Sequence, residues 1–374
     1  MSSNTNLARC VLVASLAMLL LSSTMALSGC SQEVMRARYR WSMDGGASLA
    51  WSRQQVAHPD NLQGGGGEIY CISAADAEHV WATRNGGEID ALDNGSWKQV
   101  FVTHPADFLF GVSALDSKHV WVVGQEEDHA RQSHYAAIWF FDGTSWKQQA
   151  AREFKGVSLH AVYALGTKHV WAVGTGGTIL FFDGSSWTRQ KSGTRVELDS
   201  VSAVNHSQVW AAGIDDVGRN SALLFYNGTS WNKRNPGNGR SFYIISAIDA
   251  SQVWALGGSA HPGDIGVYCF NGSSWVLSLQ ASAPEFVPSG VCALASNHIW
   301  ATGTGYGPNG PIAEVAFFDG RSWNIRQTDV EPGIGFGFVS AADPSHLWAV
   351  GRDMVPTVGI SPNPSEIYFG TDQQ

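Results

Sequence analysis

The sequence predicts an all-β protein, a seven-bladed β-propeller whose N-terminal strand closes the last blade. Three observations predict it. The motif Val-Trp-Ala-x-Gly, or a close variant, occurs seven times, at Trp81, Trp121, Trp171, Trp210, Trp254, Trp300 and Trp348. These tryptophans are spaced by 40, 50, 39, 44, 46 and 48 residues, the period of a four-stranded propeller blade. Finally, only six tryptophans close an outer strand inside the repeat, Trp97, Trp146, Trp187, Trp231, Trp275 and Trp323. The seventh stands at the other end of the chain, as Trp51.

Blade 3 shows the unit. Leu159 to Leu165 reads as the innermost strand and Gly166-Thr167-Lys168 as a turn. His169 to Gly174 is a second strand, and Thr175-Gly176-Gly177 turns the chain into Thr178 to Phe182. Asp183-Gly184-Ser185-Ser186 is a hairpin turn of the Asp-Gly kind, after which Trp187 to Gln190 forms the outer strand. The turn recurs at Asp142, Asn227, Asn271 and Asp319, and as Asp93-Asn94-Gly95 in blade 1. Seven residues before each motif Trp stands an alanine: Ala74, Ala114, Ala164, Ala203, Ala247, Ala293 and Ala341. Small side chains are expected there because innermost strands converge on the ring axis. The last blade stops after its third strand, Glu366 to Phe369. Trp51-Ser52-Arg53-Gln54 resembles Trp187-Thr188-Arg189-Gln190, so it is expected to supply the missing strand and remove an open sheet edge.

Composition agrees with one large β domain over residues 51–370. The chain has 374 residues, 16 Trp and 42 Gly, with only 15% charged residues, so a large core can be buried. The N-terminus reads as a targeting segment. Arg9 precedes the apolar run Cys10 to Leu21, which is short for a spanning helix. Leu27-Ser28-Gly29-Cys30 then resembles the lipobox of a bacterial lipoprotein. The expectation is a signal peptide over 1–29, a lipid on Cys30, and a tether over 30–50. Membrane attachment would come through that lipid alone. Removing 1–29 takes away one positive charge, Arg9, and moves the net charge from −9 to −10. Such an acidic chain is a poor partner for nucleic acid or a bare anionic membrane. Cys71, Cys269 and Cys292 form no CxxC pair and fall on strands too far apart to bridge, so they read as core residues.

The conspicuous histidines and aspartates are architecture. His79, His119, His169, His298 and His346 share one repeat position, two before the motif Trp, and Gln208 and Gln252 replace them elsewhere. Equivalent positions lie around a circle, so they cannot converge, and turn capping explains them. Asn replaces Asp at two of the hairpin turns, so turn geometry explains those as well.

Candidate binding residues lie where the blades differ. Turns between first and second and between third and fourth strands keep their length and mark one face. The loops between second and third strands vary and mark the other. A rigid scaffold with divergent loops on one face is how binding sites are commonly built. Blade 2 inserts Gln125 to Ala136, with Glu126, Glu127, Asp128, His129 and His134, a set that suits a divalent cation and equally a solvated acidic loop. Blade 4 offers Asp215, Asp216 and Arg219 over Ile214 to Asn220, a smaller oxygen-rich set. Blade 5 offers Asp264 within Gly258 to Gly266, blade 6 the lone aromatic Tyr306 within Thr304 to Ala313, and blade 7 Arg352. Phe108, Phe110, Phe242, Tyr243 and Phe336 begin innermost strands near the mouth and read mainly as core.

The blade pattern Val170-Trp171-Ala172-Val173-Gly174 through Asp183-Gly184-Ser185-Ser186-Trp187 resembles the BNR-like and photosystem II assembly-factor-like propellers of bacteria. The resemblance covers nearly all of the chain after the tether and implies the fold. Two departures limit what else it implies. A sialidase-type Asp-box has five residues from Asp to Trp, whereas Asp183 and Trp187 are four apart. The assembly factor's Asp-Gly-Gly-x-Thr-Trp is absent. Neither a sialidase activity nor a photosystem role carries over. No Gly-x-Ser-x-Gly, His-Glu-x-x-His or paired-carboxylate motif is present, and no cofactor is implied. The expected function is a monomeric, non-catalytic, lipid-anchored scaffold on the outside of a bacterial membrane that binds an envelope protein. A carbohydrate-binding propeller and a glycan-active enzyme are the alternatives. The first requires aromatics repeated on the loop face. The second requires arginines and carboxylates from several blades meeting at the mouth.

Overall fold

The computed structural model describes residues 49–57, 67–150, 152–215, 220–259, 264–282, 285–354 and 365–372. Cys30, and with it the expected signal peptide and nearly all of the tether, lies outside these. Among the described residues the only helical turns are two of 3-10 type, His129–Arg131 and Thr175–Gly177. Everything else regular is strand, arranged in seven sheets that are antiparallel apart from one edge pair in blade 1.

Each sheet is one blade. In blade 3 the strands are Leu159–Gly166, His169–Gly174, Thr178–Phe182 and Trp187–Gln190, hydrogen-bonded in that order. Asp183 caps its hairpin turn, its Oδ1 accepting from the Ser185 and Ser186 amides at 2.8 and 2.9 Å. Gly184 follows at φ 98°, a conformation that favours glycine. The turns at Asp142, Asn227, Asn271 and Asp319 repeat this bonding, so Asn serves as well as Asp. His79, His119 and His346 place Nδ1 within 3.0 Å of Asp76, Asp116 and Asp343, three residues upstream, but the turns are capped by these aspartates, whose Oδ1 accepts the histidine amides at 2.8–3.0 Å.

Blade 7 is completed from the N-terminus. Ile334–Asp343, His346–Asp353 and Glu366–Asp372 are followed by Leu49–Gln54 as the outermost strand, in the register Trp51↔Gly370 and Gln54↔Ile367. Trp51 is buried and its ring centroid lies 4.7 Å from that of Phe336. The strand begins two residues before the expected start of the ring. The chain then crosses to blade 1, where Val56–Ala57 pairs in parallel with Ser96–Val102 as a fifth strand. The N-terminal segment is therefore stitched to both blades that flank the closure.

The motif residues hold blade to blade. Every motif Trp is 1–6% exposed and shares a hydrophobic cluster with the alanine of the following blade, as Trp121 does with Ala164, Trp171 with Ala203 and Trp300 with Ala341. The alanines are small because they face an indole across the blade interface, which corrects the expectation that the axis itself demands it. Beside each Trp, on the neighbouring innermost strand, stands a hydroxyl in five of the blades. Ser73, Ser113, Ser202, Ser246 and Ser340 pair with Trp81, Trp121, Trp210, Trp254 and Trp348 in register. Each Ser Oγ accepts the next blade's alanine N–H at 3.0–3.1 Å: Ser340 from Ala74, Ser73 from Ala114, Ser113 from Ala164, Ser202 from Ala247, Ser246 from Ala293. In blade 6 the Cys292 thiol takes the place, accepting from Ala341. Cys71, Cys269 and Cys292 are free thiols, and burial pushes each up.

The motif glycine is a close approach. A Cβ on Gly124, Gly174 or Gly213 would lie 1.8–2.1 Å from a carbonyl oxygen of the innermost side of its blade. Blade 1 has Arg84 at this position. Its side chain is buried against the Asp90 carboxylate and donates to the carbonyls of Gly67 and, in blade 7, Ser365. The bond from Arg84 to the Ser365 carbonyl is a second tie across the closure.

Candidate binding face

The two faces separate as the loop lengths predict. Glycines of the third turn lie on the first turn of the same blade: a Cβ on Gly143 or Gly184 would be 2.9 or 2.7 Å from the side chain of Lys118 or Lys168. At the opposite end, the turn after the second strand rests on the interblade linker, as Gly177 does on Thr194. The second end carries the candidate residues.

Blade 2 does not carry a loop there. Residues 125–136 extend the two strands His119–Asp128 and Ser133–Phe141 into a hairpin, with register from Gln125↔Ala136 to Asp128↔Ser133. The turn His129–Arg131 is capped by Asp128 and ends on Gln132 at φ 48°. Strand alternation then divides the acidic cluster between two faces. Glu126 and Asp128 share one face and Arg152: Glu126 accepts from Gln148 Nε2 at 2.7 Å and Arg152 Nε at 3.5 Å, and Asp128 lies 3.8 Å from Arg152. Asp128 also accepts from the Arg131 amide and guanidinium at 3.1 and 2.9 Å. Burial opposes ionisation of Asp128, but the bonds and charge of Arg131, with Arg152, hold it below the usual carboxylate range. Glu127 points the other way, bonded to Gln125 Nε2. His134 is cross-strand to Glu127 and its carbonyl accepts from Gly156, while His129 is exposed at the tip. Among the described residues no three His, Cys, Asp or Glu side chains converge closely enough to hold a metal ion.

A cleft of about 330 Å³ opens beside this hairpin, lined by Thr103, His104, Asp107, Glu126, Glu127 and Trp139, with Gln148 and Arg152 on its wall. Asp107 is 4% exposed and accepts from the Glu127 amide at 3.2 Å. Burial raises its carboxyl, Thr103 and the Glu127 amide oppose this, and Glu126 adds repulsion. The cleft is acidic and polar, and it is the described cavity to which the sequence candidates contribute.

The remaining candidates are dispersed. Blade 6 also extends a hairpin, His298–Gly307 with Gly310–Phe318, so the expected loop is again strand and Tyr306 pairs with Pro311 near its tip. Below it the Glu314 carboxyl packs on Gly305, is 9% exposed, and leaves Oε2 without a hydrogen-bond partner. Burial, with repulsion from Glu285, pushes it up to about 8. Asp264 accepts from the Tyr268 hydroxyl at 2.7 Å and from Arg240 at 3.4 Å, with that guanidinium 4.9 Å above the Tyr268 ring. Asp215 is joined to Asn220 by its amide at 2.8 Å. Asp216 and Arg219 lie outside the described residues. Arg352 pairs with Glu68 at 3.4 Å and covers Phe338 at 5.9 Å.

Phe242 and Phe336 are 1% exposed and are core, and Tyr243 packs against a core cluster. Phe108 and Phe110 instead stack at 6.1 Å and continue to Tyr70 at 5.2 Å and His160 at 5.9 Å. His160 reaches Asp199 at 3.3 Å. This row, buried at Tyr70 and half-buried beyond it, spans blades 1 to 4 around the innermost strands. Tyr70 and His160 were not among the sequence candidates. Their signal is their place on innermost strands, where most neighbours are aliphatic or small.

Fold and face together define the class: a seven-bladed β-propeller closed by its own N-terminal strand, with hairpins projecting from one face. No protein-family model and no curated protein sequence matches the chain. Solved structures of the same fold include YCF48 bound to a D1 peptide, 13% identical with a TM-score of 0.60 over 89% of this chain and 97% of that one. The WD40 propeller domain of Doa1 is 11% identical with a TM-score of 0.59, over 87% and 96%. The GH74 enzyme of Niastella koreensis is 14% identical with a TM-score of 0.57, over 81% of this chain and 54% of that one. The resemblance to assembly-factor-like propellers holds at the level of the fold. At these identities the likenesses carry no activity.

Proposed function

We propose that the chain is a non-catalytic, lipid-anchored scaffold of the bacterial cell envelope that holds a protein partner on its loop face. The observation that carries the reading is the pair of hairpins from blades 2 and 6, which project from one face of the ring and bear exposed tips at Ala130 and Asn309. A rigid ring presenting two ordered projections suits recognition of a folded or extended polypeptide. The YCF48 structure, bound to a D1 peptide, is a propeller of this fold that holds a polypeptide. The acidic cleft at the root of the blade 2 hairpin would receive basic or polar groups of the partner. Two observations weigh against the glycan readings. Among the described residues the exposed large hydrophobics are Val100, Val102, Val276 and Ile325, none of them aromatic. Arg131, Arg240 and Arg352 each engage a carboxylate of their own neighbourhood rather than meeting at the mouth.

The test is a crosslinked pull-down from the native envelope with two variants beside the wild type. One carries the blade 2 hairpin cut back to the length of blade 3. The other carries Ala130→Glu at the tip, which leaves every described packing contact in place. A protein captured by the wild type and lost with both variants supports the reading. Identical capture by all three, or no captured protein, overturns it.

A further inference from the structure

A second cleft lies on the loop face between blades 3 and 4, and its chemistry is the reverse of the first. It encloses about 490 Å³ and is lined by Arg189, Lys191, Arg195 and Lys233, with Gly176, Gly177, Thr178 and the linker Ser192-Gly193-Thr194 between them. Among the described residues no carboxylate lines it. All four cations are exposed, and among the described residues none has a carboxylate within 4.0 Å; Arg189 instead donates to Thr178 Oγ1 at 3.0 Å. Arg53, Arg84, Arg131, Arg152, Arg240 and Arg352 are paired with carboxylates, and the other described arginines without such a pair, Arg234, Arg321 and Arg326, lie outside the cleft. In a chain of net charge −9, gathering four uncompensated cations into one concavity costs mutual repulsion that a bound anion relieves.

We infer that this cleft is a binding site for a phosphoryl group. Two arginines and two lysines line it from three elements: the outer strand of blade 3, the linker that follows it and the outer strand of blade 4. A carboxylate offers two acceptor oxygens and a single charge. A phosphate monoester or pyrophosphate offers three or more oxygens and close to two charges or more, and so matches a donor set spread over several directions. Gly193, at φ 73° and with nothing within 4 Å of where its Cβ would lie, leaves the linker side of the cleft bare. The volume falls within the range of about 300–1,000 Å³ usual for small-ligand sites. The phosphoryl group could belong to a soluble metabolite or to a lipid headgroup, and the chemistry of recognition is the same. The site is separate from the blade 2 hairpin and does not rest on the scaffold reading.

The test uses the full chain and the double variant Lys191→Ala/Arg195→Ala, both positions being exposed, with unfolding midpoints compared to show that the fold is intact. Pyrophosphate is titrated calorimetrically into each. Co-sedimentation with phosphatidylcholine vesicles, with and without phosphatidic acid, separates lipid from soluble sources. Saturable pyrophosphate binding, weakened at least about tenfold in the double variant, is expected, since each lost charge-assisted contact is worth about that much. Added sedimentation with phosphatidic acid, displaced by pyrophosphate, would place the phosphoryl group on a lipid; its absence alongside pyrophosphate binding would place it on a soluble ligand. Pyrophosphate that does not bind, or binds both proteins alike, overturns the proposal. So does a polyglutamate peptide that binds the cleft and is not displaced by pyrophosphate, since the site would then serve an acidic polypeptide.

Discussion

Glu314 gives the ring a predictable dependence on pH. Its carboxyl is 9% exposed, packs on Gly305 of the adjacent strand, and is pushed from an ordinary 4.5 up to about 8 by burial and the Glu285 charge. The native state therefore holds a proton that the unfolded chain releases between these values. Below about pH 4.5 both states are protonated, and the group leaves stability unchanged. As pH rises toward 8 the native carboxyl must stay neutral or be buried as an anion, and stability falls. At about 1.4 kcal/mol for each tenfold change in proton concentration, the displacement from 4.5 to about 8 is worth up to roughly 5 kcal/mol once pH exceeds 8. Glu314→Gln keeps the size and polarity of the side chain without the titration. Denaturant unfolding of both proteins between about pH 5 and pH 9 is the assay. The variant should match the wild type near pH 5 and exceed it by a few kcal/mol near pH 9. A difference between the two proteins that does not change with pH refutes the reasoning, because the carboxyl would then titrate at its ordinary value.

The closure and the interblade bonds make further predictions. Trp51→Ala should cost about 3–5 kcal/mol, since it removes a buried indole from the strand that completes blade 7, and equilibrium unfolding reads it directly. Ser113→Ala leaves the buried Ala164 N–H without its acceptor and should cost about 1–3 kcal/mol, whereas Ser113→Cys should cost less, because Cys292 already fills the equivalent place. Asp90→Ala strands the Arg84 guanidinium, 3% exposed, and should cost about 3–5 kcal/mol in the same measurement.

How much of this was legible in the sequence depended on how local the cause was. The blade 3 strands were readable almost to the residue, because alternation, the Asp183-Gly184 turn and the motif Trp are signals confined to a few neighbours. The latch was readable because Trp51-Ser52-Arg53-Gln54 repeats an outer strand that blade 7 lacks. The blade 2 and blade 6 segments were read as loops because Glu126-Glu127-Asp128-His129 and Gly305 to Pro311 carry turn-rich composition. Cross-strand pairing overrode it, and that pairing then sent neighbouring carboxylates to opposite faces. The serines before the repeat alanines were visible but meaningless until the next blade supplied the N–H they accept. Arg84 was a departure from the motif glycine whose purpose required Asp90 and Ser365, one of them from the far end of the chain. The basic cleft was illegible for the same reason, since Arg189, Arg195 and Lys233 meet only when two blades pack.

The central claim, that one face of the ring recognises a protein, is tested most directly by site-specific photocrosslinking in cells. A photoreactive residue is placed in turn at Gln132 and Asn309 on the hairpin tips, and at Ser185 and Ser273 on the opposite face, all four positions being exposed. The account predicts one common protein adduct from Gln132 and Asn309 and none of it from Ser185 or Ser273. The same adduct from both faces, or no protein adduct from either hairpin tip, would contradict it.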